Sequence, residues 1–116
     1  MIYIQYPKCT TCIKGKKFLL NNNIEFEDRN IVENNPTKEE LTLWIENSGL
    51  DIKKFFNTSG KLYKEMGLKD KLKDMSNEEK IDLLSTNGML VKRPILIKDN
   101  TVLVGFKEDQ YREIIK

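Results

Sequence analysis

Hydrophobic and polar positions along the chain follow patterns that predict a strand, a helix and a second strand near the amino terminus. Residues 2–6 alternate β-forming side chains and are followed by Pro7, which cannot donate a hydrogen bond to a strand ladder. Residues 13–20 contain good helix formers and run into three asparagines, which tolerate the left-handed backbone of a helix end. Residues 24–28 alternate apolar and acidic side chains, which predicts a half-buried strand.

Helical patterns dominate the middle of the chain. Thr37 with Glu40 three residues later matches a capping box that opens a helix, and Ser48-Gly49 ends it. Three further short helical stretches are predicted at residues 52–56, 61–66 and 76–84, the last opened by a second capping box. The aromatic residues of this part and the next are predicted to be core residues: Trp44, Phe55, Phe56, Tyr63 and Phe106.

The carboxy-terminal part returns to strand character. Residues 94–97 and 101–105 are apolar runs separated by Asp99-Asn100, which predicts a hairpin, and residues 107–116 have a helical period. The complete order is therefore β-α-β, a helical insertion at about residues 35–87, and β-β-α. This order is that of an α/β thioredoxin-like fold with a mixed four-stranded sheet and an all-helical insertion, in one domain over residues 1–116.

Composition and charge exclude several classes of function. The chain has 116 residues, a formal net charge of +2 and no histidine. Near-neutral charge offers no electrostatic reason to expect nucleic-acid or membrane binding, and the absence of histidine excludes Ser/His/Asp and Cys/His nucleophiles. The first residues do not have the pattern of a signal peptide and no stretch is apolar enough to span a bilayer, so we expect a cytoplasmic protein.

Two cysteines, Cys9 and Cys12, stand between the first strand and the first helix. Unpaired backbone N–H groups at a helix start favour a thiolate, so we expect Cys9 to be the nucleophile and Cys12, one turn further on, the resolving thiol. Lys8 and Lys14 either add positive potential near these cysteines or point to water. Two alternatives are a pair of buried, unreactive thiols and a zinc ion shared by the cysteine pairs of a dimer.

Other candidate site residues depend on the predicted fold. Pro94 precedes the third strand, where a thioredoxin-like architecture has a cis-proline facing the active cysteine; a trans proline that starts the strand is the alternative. Arg93 is expected to stabilise the Cys9 thiolate or to bind a surface carboxylate. Three polar residues beside the cysteines and one in the turn 57–60 are candidates for substrate binding: Lys8, Thr10, Thr11 and Asn57.

Five stretches taken in order carry a resemblance to a known family. They are Tyr6-Pro7-Lys8-Cys9-Thr10-Thr11-Cys12, Phe56-Asn57-Thr58-Ser59-Gly60, Tyr63-Lys64-Glu65-Met66-Gly67-Leu68, Gly88-Met89-Leu90-Val91-Lys92-Arg93-Pro94-Ile95 and Val104-Gly105-Phe106-Lys107-Glu108. On these residues the chain resembles, over essentially its whole length, the arsenate reductase (ArsC)/Spx-like family of thioredoxin-fold proteins. Within that family it looks most like the subgroup with a Cys-x-x-Cys pair.

The resemblance leaves three functions open. Glutaredoxin-coupled arsenate reductases are similar around Cys9, but they have a serine where Cys12 stands and three arginines around the nucleophile. Only Arg93 matches one of these arginines, since Asn57 and Gly105 occupy the other two positions. Spx-like regulators, which bind the α subunit of RNA polymerase, are similar in the Cys-x-x-Cys and Arg-Pro segments but continue with a charged tail.

The function that the resemblance and the residues together favour is thiol/disulfide redox chemistry by Cys9 and Cys12. The protein is expected to need no metal and no organic cofactor. Its electrons would come from a thiol reductant such as glutathione, glutaredoxin or thioredoxin, and its partner would be a disulfide-bearing protein or a low-molecular-weight thiol. A regulator that binds the polymerase α subunit is the first alternative and an arsenate reductase is the second.

Overall fold

A mixed four-stranded sheet organises the protein in the computed structural model, which describes residues 1–116. The strands are β1 (Ile2–Gln5), β2 (Glu27–Asn30), β3 (Ile95–Lys98) and β4 (Thr101–Val104), in the spatial order β2-β1-β3-β4. β1 runs parallel to β2 and antiparallel to β3, and β3 runs antiparallel to β4. The predicted α/β thioredoxin-like fold with a mixed four-stranded sheet is confirmed.

Six α-helices accompany the sheet: α1 (Thr10–Asn21), α2 (Lys38–Ser48), α3 (Lys61–Glu65), α4 (Leu68–Lys71), α5 (Asn77–Thr86) and α6 (Glu108–Ile114). Short 3-10 turns add Ile52–Phe55, Leu72–Asp74 and Gly88–Leu90. The segment between β2 and β3 is therefore all-helical, as its pattern predicts. Both predicted capping boxes are formed, by Thr37 with Glu40 and by Ser76 with Glu79. No helix is both long enough and apolar enough to cross a membrane.

The sheet has a hydrophobic core on each face because consecutive strand residues point to opposite sides. Ile4 and Ile95 face the larger core, which the helical insertion covers with Trp44, Phe55, Phe56 and Tyr63. The smaller core, on the face covered by α1 and α6, consists of Tyr3, Phe18, Leu19, Leu96 and Tyr111. Four of the five aromatic residues predicted as core are buried, whereas Phe106 is half-buried beside the smaller core.

The second strand lies further along the chain than the alternating pattern predicts. It spans Glu27–Asn30 rather than residues 24–28, and its register pairs Ile2 of β1 with Glu27. Ile24 and Phe26 pack against the smaller core from the loop that precedes the strand, which explains their alternation. As an edge strand, β2 needs only its backbone ladder with β1, so polar residues are accommodated there.

Candidate active site

A tight turn between β1 and α1 places Cys9 at the start of the helix. The Cys9 N–H donates to the Tyr6 carbonyl at 3.0 Å, and the Cys9 carbonyl accepts from the Ile13 N–H at 3.0 Å. Cys9 has extended backbone angles and is the N-cap residue of α1, which begins at Thr10 rather than at residue 13. Its side chain is half-buried, so the sulfur can be reached from solvent at the end of a helix dipole.

Cys12 lies one turn further into α1 and is fully buried. The Tyr6 backbone N–H donates to the Cys12 sulfur at 3.5 Å, and the Tyr3 hydroxyl donates to the Cys12 carbonyl at 2.6 Å. These bonds tie the first turn of the helix to β1 and to the residue that follows it. Gly15, which is also buried, packs against the Tyr3 hydroxyl and leaves no space there for a larger side chain. Both cysteines are free thiols.

The two thiols have opposite electrostatic environments. Partial burial opposes ionisation of Cys9, but the pKa of Cys9 is nevertheless lowered by the Cys12 backbone N–H and thiol, the Arg93 charge and the Thr11 N–H. Cys9 forms no cap hydrogen bond with its side chain, so the N–H groups and the Cys12 thiol act on its sulfur as nearby dipoles and Arg93 acts as a nearby charge. Burial raises the pKa of Cys12 to about 12, and the neighbouring Cys9 contributes to the rise. At neutral pH Cys9 is therefore the more acidic thiol, and Cys12 keeps its proton.

Arg93 and Pro94 stand immediately before β3. The peptide bond between them is cis, as the fold predicts, and the Pro94 carbonyl accepts a hydrogen bond from the Gly105 N–H at 2.8 Å. The Arg93 guanidinium lies over the Tyr6 ring, 5.3 Å from its centroid, and donates a long bond of 3.5 Å to the Met89 carbonyl. Its Nε atom is buried without a hydrogen-bond partner. Arg93 thus brings a positive charge to the cysteine site while retaining an unused donor.

The other predicted site residues are more peripheral. Lys8, Thr10 and Thr11 are exposed around the cysteine turn, and Lys8 forms no ion pair. Asn57 is half-buried; its N–H donates to the Leu90 carbonyl at 2.8 Å, while its side chain accepts from Ser59 at 3.4 Å within its own turn. The structure therefore joins the turn of Asn57 to the segment that leads to Arg93, but shows no contact between its side chain and the cysteines.

Sequence reasoning missed the contribution of two tyrosines to this site. Tyr3 is an ordinary core position in the alternation of β1, yet its hydroxyl holds the Cys12 carbonyl. Tyr6 contributes its N–H to the Cys12 sulfur and its ring to the Arg93 guanidinium. The only sequence signal for these two roles is that both tyrosines stand shortly before the Pro-x-Cys turn. That position does not indicate that the Tyr3 hydroxyl would bond to the Cys12 carbonyl.

Comparisons with known proteins agree with this architecture. The chain is 50% identical over 113 residues to the uncharacterized protein YusI of Bacillus subtilis, covering 97% of this chain and 96% of YusI. It is 28% identical to the global transcriptional regulator Spx of Streptococcus pyogenes serotype M1, covering 94% of this chain and 80% of Spx. The crystal structure of an ArsC-family-related protein of Bacteroides fragilis superimposes with a TM-score of 0.95 at 55% identity, covering 97% of this chain and 95% of that one.

These relatives include a transcriptional regulator as well as a protein related to ArsC. They therefore identify a family, but they do not identify a single function for its members. The mixed sheet, the paired cysteines and the Arg-Pro segment are where the resemblance to that family predicts them. The model of the ArsC family matches residues 4–114, and the chain therefore belongs to the ArsC family.

Proposed function

We propose that the protein is a thiol/disulfide redox protein in which Cys9 attacks a disulfide and Cys12 resolves the resulting bond. The observation that carries this proposal is the placement of the two sulfurs on one helix turn, with Cys9 accessible at the N-cap and Cys12 buried behind it. In this proposal Arg93 stabilises the negative charge on Cys9, and Pro94 would present backbone groups to the incoming disulfide. The reducing cytoplasm would keep both thiols ready to react.

The proposed reaction balances as two successive exchanges. The Cys9 thiolate attacks one sulfur of a partner disulfide, a Cys9–partner bond forms, and the other partner sulfur leaves as a thiolate that takes a proton from water. Cys12 then loses its proton to solvent and attacks the Cys9 sulfur, which forms the Cys9–Cys12 disulfide and releases the second partner thiol. Two electrons have passed to the partner, and an external reductant returns them: two molecules of glutathione, or the dithiol of a glutaredoxin or thioredoxin.

Activation of Cys12 follows from the change at Cys9. The charge and hydrogen-bonding capacity of Cys9 help to raise the pKa of Cys12, and both are lost once the Cys9 sulfur is part of a mixed disulfide. The opposing influences remain, namely the Tyr6 N–H and the Arg93 charge, each of which lowers the pKa of Cys12. The resolving thiol is therefore easier to ionise at the stage of the reaction when it must attack.

Trapping tests the proposal directly. Cys12→Ser removes the resolving thiol, so Cys9 is expected to remain in mixed disulfides with its partners, which mass spectrometry identifies after non-reducing purification. The matched control is Cys9→Ser, which retains the buried Cys12 and is expected to trap nothing. Equal trapping by the two variants, or by neither when the protein is exposed to cellular disulfides, would reject the assignment.

A regulatory function is the second candidate, and the similarity to Spx favours it. In this case the chain would bind the RNA polymerase α subunit, and the cysteine pair would switch that binding. A pull-down with the carboxy-terminal domain of the α subunit, using oxidised and reduced protein, decides the question. Recovery of the α subunit that differs between the oxidised and the reduced protein, and that involves no mixed disulfide with Cys9, would favour the regulator over the redox carrier.

Arsenate reduction receives less support from the geometry. An oxyanion is best held by several guanidinium groups, and Arg93 is the one arginine that the structure associates with Cys9. Gly105 stands where the arsenate reductases have an arginine, and its φ of +83° is a backbone conformation that side chains rarely adopt. We expect no arsenate-dependent oxidation of glutathione in the presence of glutaredoxin, and a measurable rate would restore this function.

A further inference from the structure

A cleft of about 540 Å³ runs along the outer edge of β4, away from the cysteines. Its floor is the strand itself, through residues Val102 to Val104, together with the apolar side chains of Leu50 and Phe56. One wall is the chain between α2 and α3, and the other is the beginning of α6 with the residue before it, Lys107. We call this feature the β4 cleft.

The strand on the floor of the β4 cleft has unused hydrogen-bonding groups. β4 is the last strand of the sheet and pairs only with β3. In an antiparallel ladder, residues that hydrogen-bond to the neighbouring strand alternate with residues that do not. The Gly105 N–H donates to the Pro94 carbonyl, so the backbone groups of Leu103, two residues earlier, also point toward β3. Val102 and Val104 consequently direct their N–H and C=O groups outward, toward the cleft, where they could pair with a further strand.

The walls of the β4 cleft are positively charged. Four lysines line it, Lys53, Lys54, Lys92 and Lys107, and no acidic residue does. None of the four takes part in an ion pair. In a chain with a net charge of only +2, this is a concentration of unpaired positive charge around an apolar floor.

We propose that the β4 cleft binds an extended, acidic segment of a partner protein, which adds to the sheet as a fifth strand. Main-chain hydrogen bonds to Val102 and Val104 would supply affinity, apolar side chains on one face of the segment would meet the cleft floor, and carboxylates on the other would meet the lysines. The proposal does not depend on the redox function.

The positions of the lysines argue against edge-to-edge pairing of two copies and against a purely protective role for these charges. A second copy of this chain that paired edge to edge would bring two sets of four lysines together, and like charges oppose such a contact. Protective lysines that keep an edge from aggregating usually stand on the edge strand itself. β4 contains only Thr101, Val102, Leu103 and Val104, so the lysines of the cleft come from other segments that surround it.

Binding of a model peptide tests the proposal on the reduced full-length protein. The probe is a fluorescent octapeptide of alternating glutamate and valine, and its neutral partner has glutamine in place of glutamate. We expect the neutral peptide to bind at least about tenfold more weakly, and the double variant Lys53→Gln/Lys54→Gln to weaken binding of the acidic peptide about fivefold. The matched control Lys64→Gln/Lys71→Gln removes two exposed lysines that do not line the cleft and should leave the affinity unchanged.

Amide exchange distinguishes strand addition from loose charge attraction. Saturating acidic peptide is expected to slow exchange of the Val102 and Val104 amides at least about tenfold, since both N–H groups would then be hydrogen-bonded. Equal binding of the two peptides, equal weakening by the two double variants, or unchanged exchange at these amides would each overturn the proposal. A dimer in sedimentation, with the same amides protected in the absence of peptide, would also overturn it.

Discussion

The contact between Tyr3 and Gly15 offers a sharp test of how the active-site helix is attached to the sheet. The Tyr3 hydroxyl donates to the Cys12 carbonyl at 2.6 Å, and it occupies the space where a side chain at Gly15 would begin. A Cβ atom at residue 15 would overlap the hydroxyl oxygen, with the Tyr3 Cζ atom at 3.3 Å and the Phe106 Cδ1 atom at 3.4 Å as its next neighbours. Gly15→Ala should therefore force the two elements apart, and Tyr3→Phe should relieve most of that strain.

The expected energies follow from these contacts. Gly15→Ala gains about 1 kcal/mol of helix propensity but overpacks a closed site, which costs about 1 to 3 kcal/mol, so we expect net destabilisation of about 1 kcal/mol. Tyr3→Phe loses one buried hydrogen bond and should cost about 1 kcal/mol. In the double variant the overlap has gone and the helix propensity remains. The double variant should then be more stable than the sum of the single changes predicts by about 2 kcal/mol.

Urea unfolding of the four proteins, followed by far-UV circular dichroism under reducing conditions, measures this coupling. The slope with urea should be the same for all four, so that midpoints can be compared. Strictly additive effects would show that the Tyr3 hydroxyl and the residue 15 position do not meet in the folded protein. A double variant that is less stable than the sum of the single variants predicts would refute the packing described above.

Three further predictions concern the thiol, a backbone contact and an ion pair. Arg93→Met removes a charge that lowers the pKa of Cys9, so the pH midpoint of Cys9 alkylation by iodoacetamide should move upward. The control Lys14→Met should leave this midpoint unchanged. An unmoved midpoint in Arg93→Met would contradict the role of Arg93. Gly88→Ala places a Cβ atom against the Ile31 backbone carbonyl, which cannot rotate away as a side chain could. We expect the free energy of unfolding in urea to fall by at least about 2 kcal/mol. A fall of less than about 0.5 kcal/mol would count against this contact. Hydrogen bonds from Arg29 hold the pKa of Glu40 below its ordinary value of 4.5. The stability difference between the unaltered protein and Glu40→Gln in urea unfolding should therefore be fully present above about pH 4.5 and shrink as pH falls through the lowered pKa of the folded state. A difference that does not change with pH would argue against the pair.

Local signals predicted much of the fold because each has its physical cause within a few residues. A capping box needs only Thr37 and Glu40, and both bonds form as expected. The end of α2 at Gly49 likewise follows from one residue, which adopts the left-handed conformation with a φ of +68°. The cysteine pair was also visible, since a strand, a turn and a helix start lie within one short stretch.

Features set by distant partners could not be predicted in this way. The register of β2 depends on its pairing with β1, and the apolar residues that precede it belong to a loop over the smaller core. The turn of helix at α4, Leu68–Lys71, has too few residues to show a period and is held by burial of Leu68. The β4 cleft combines three separated parts of the chain, so no single stretch indicates it.

The roles proposed for the two cysteines follow from their positions on the helix and do not depend on which partner is eventually found. A protein disulfide can approach Cys9, which is half-buried at the helix start, but it cannot reach Cys12, whose accessible surface is 0%. In a mixed disulfide at Cys9, the sulfur of Cys12 is one helix turn away and already shielded from competing oxidants. The reverse assignment would require α1 to open first, and the Tyr3 and Tyr6 hydrogen bonds to Cys12 oppose that opening. In the proposed mechanism, accessibility therefore favours Cys9 as the attacking thiol, and burial favours Cys12 as the resolving thiol.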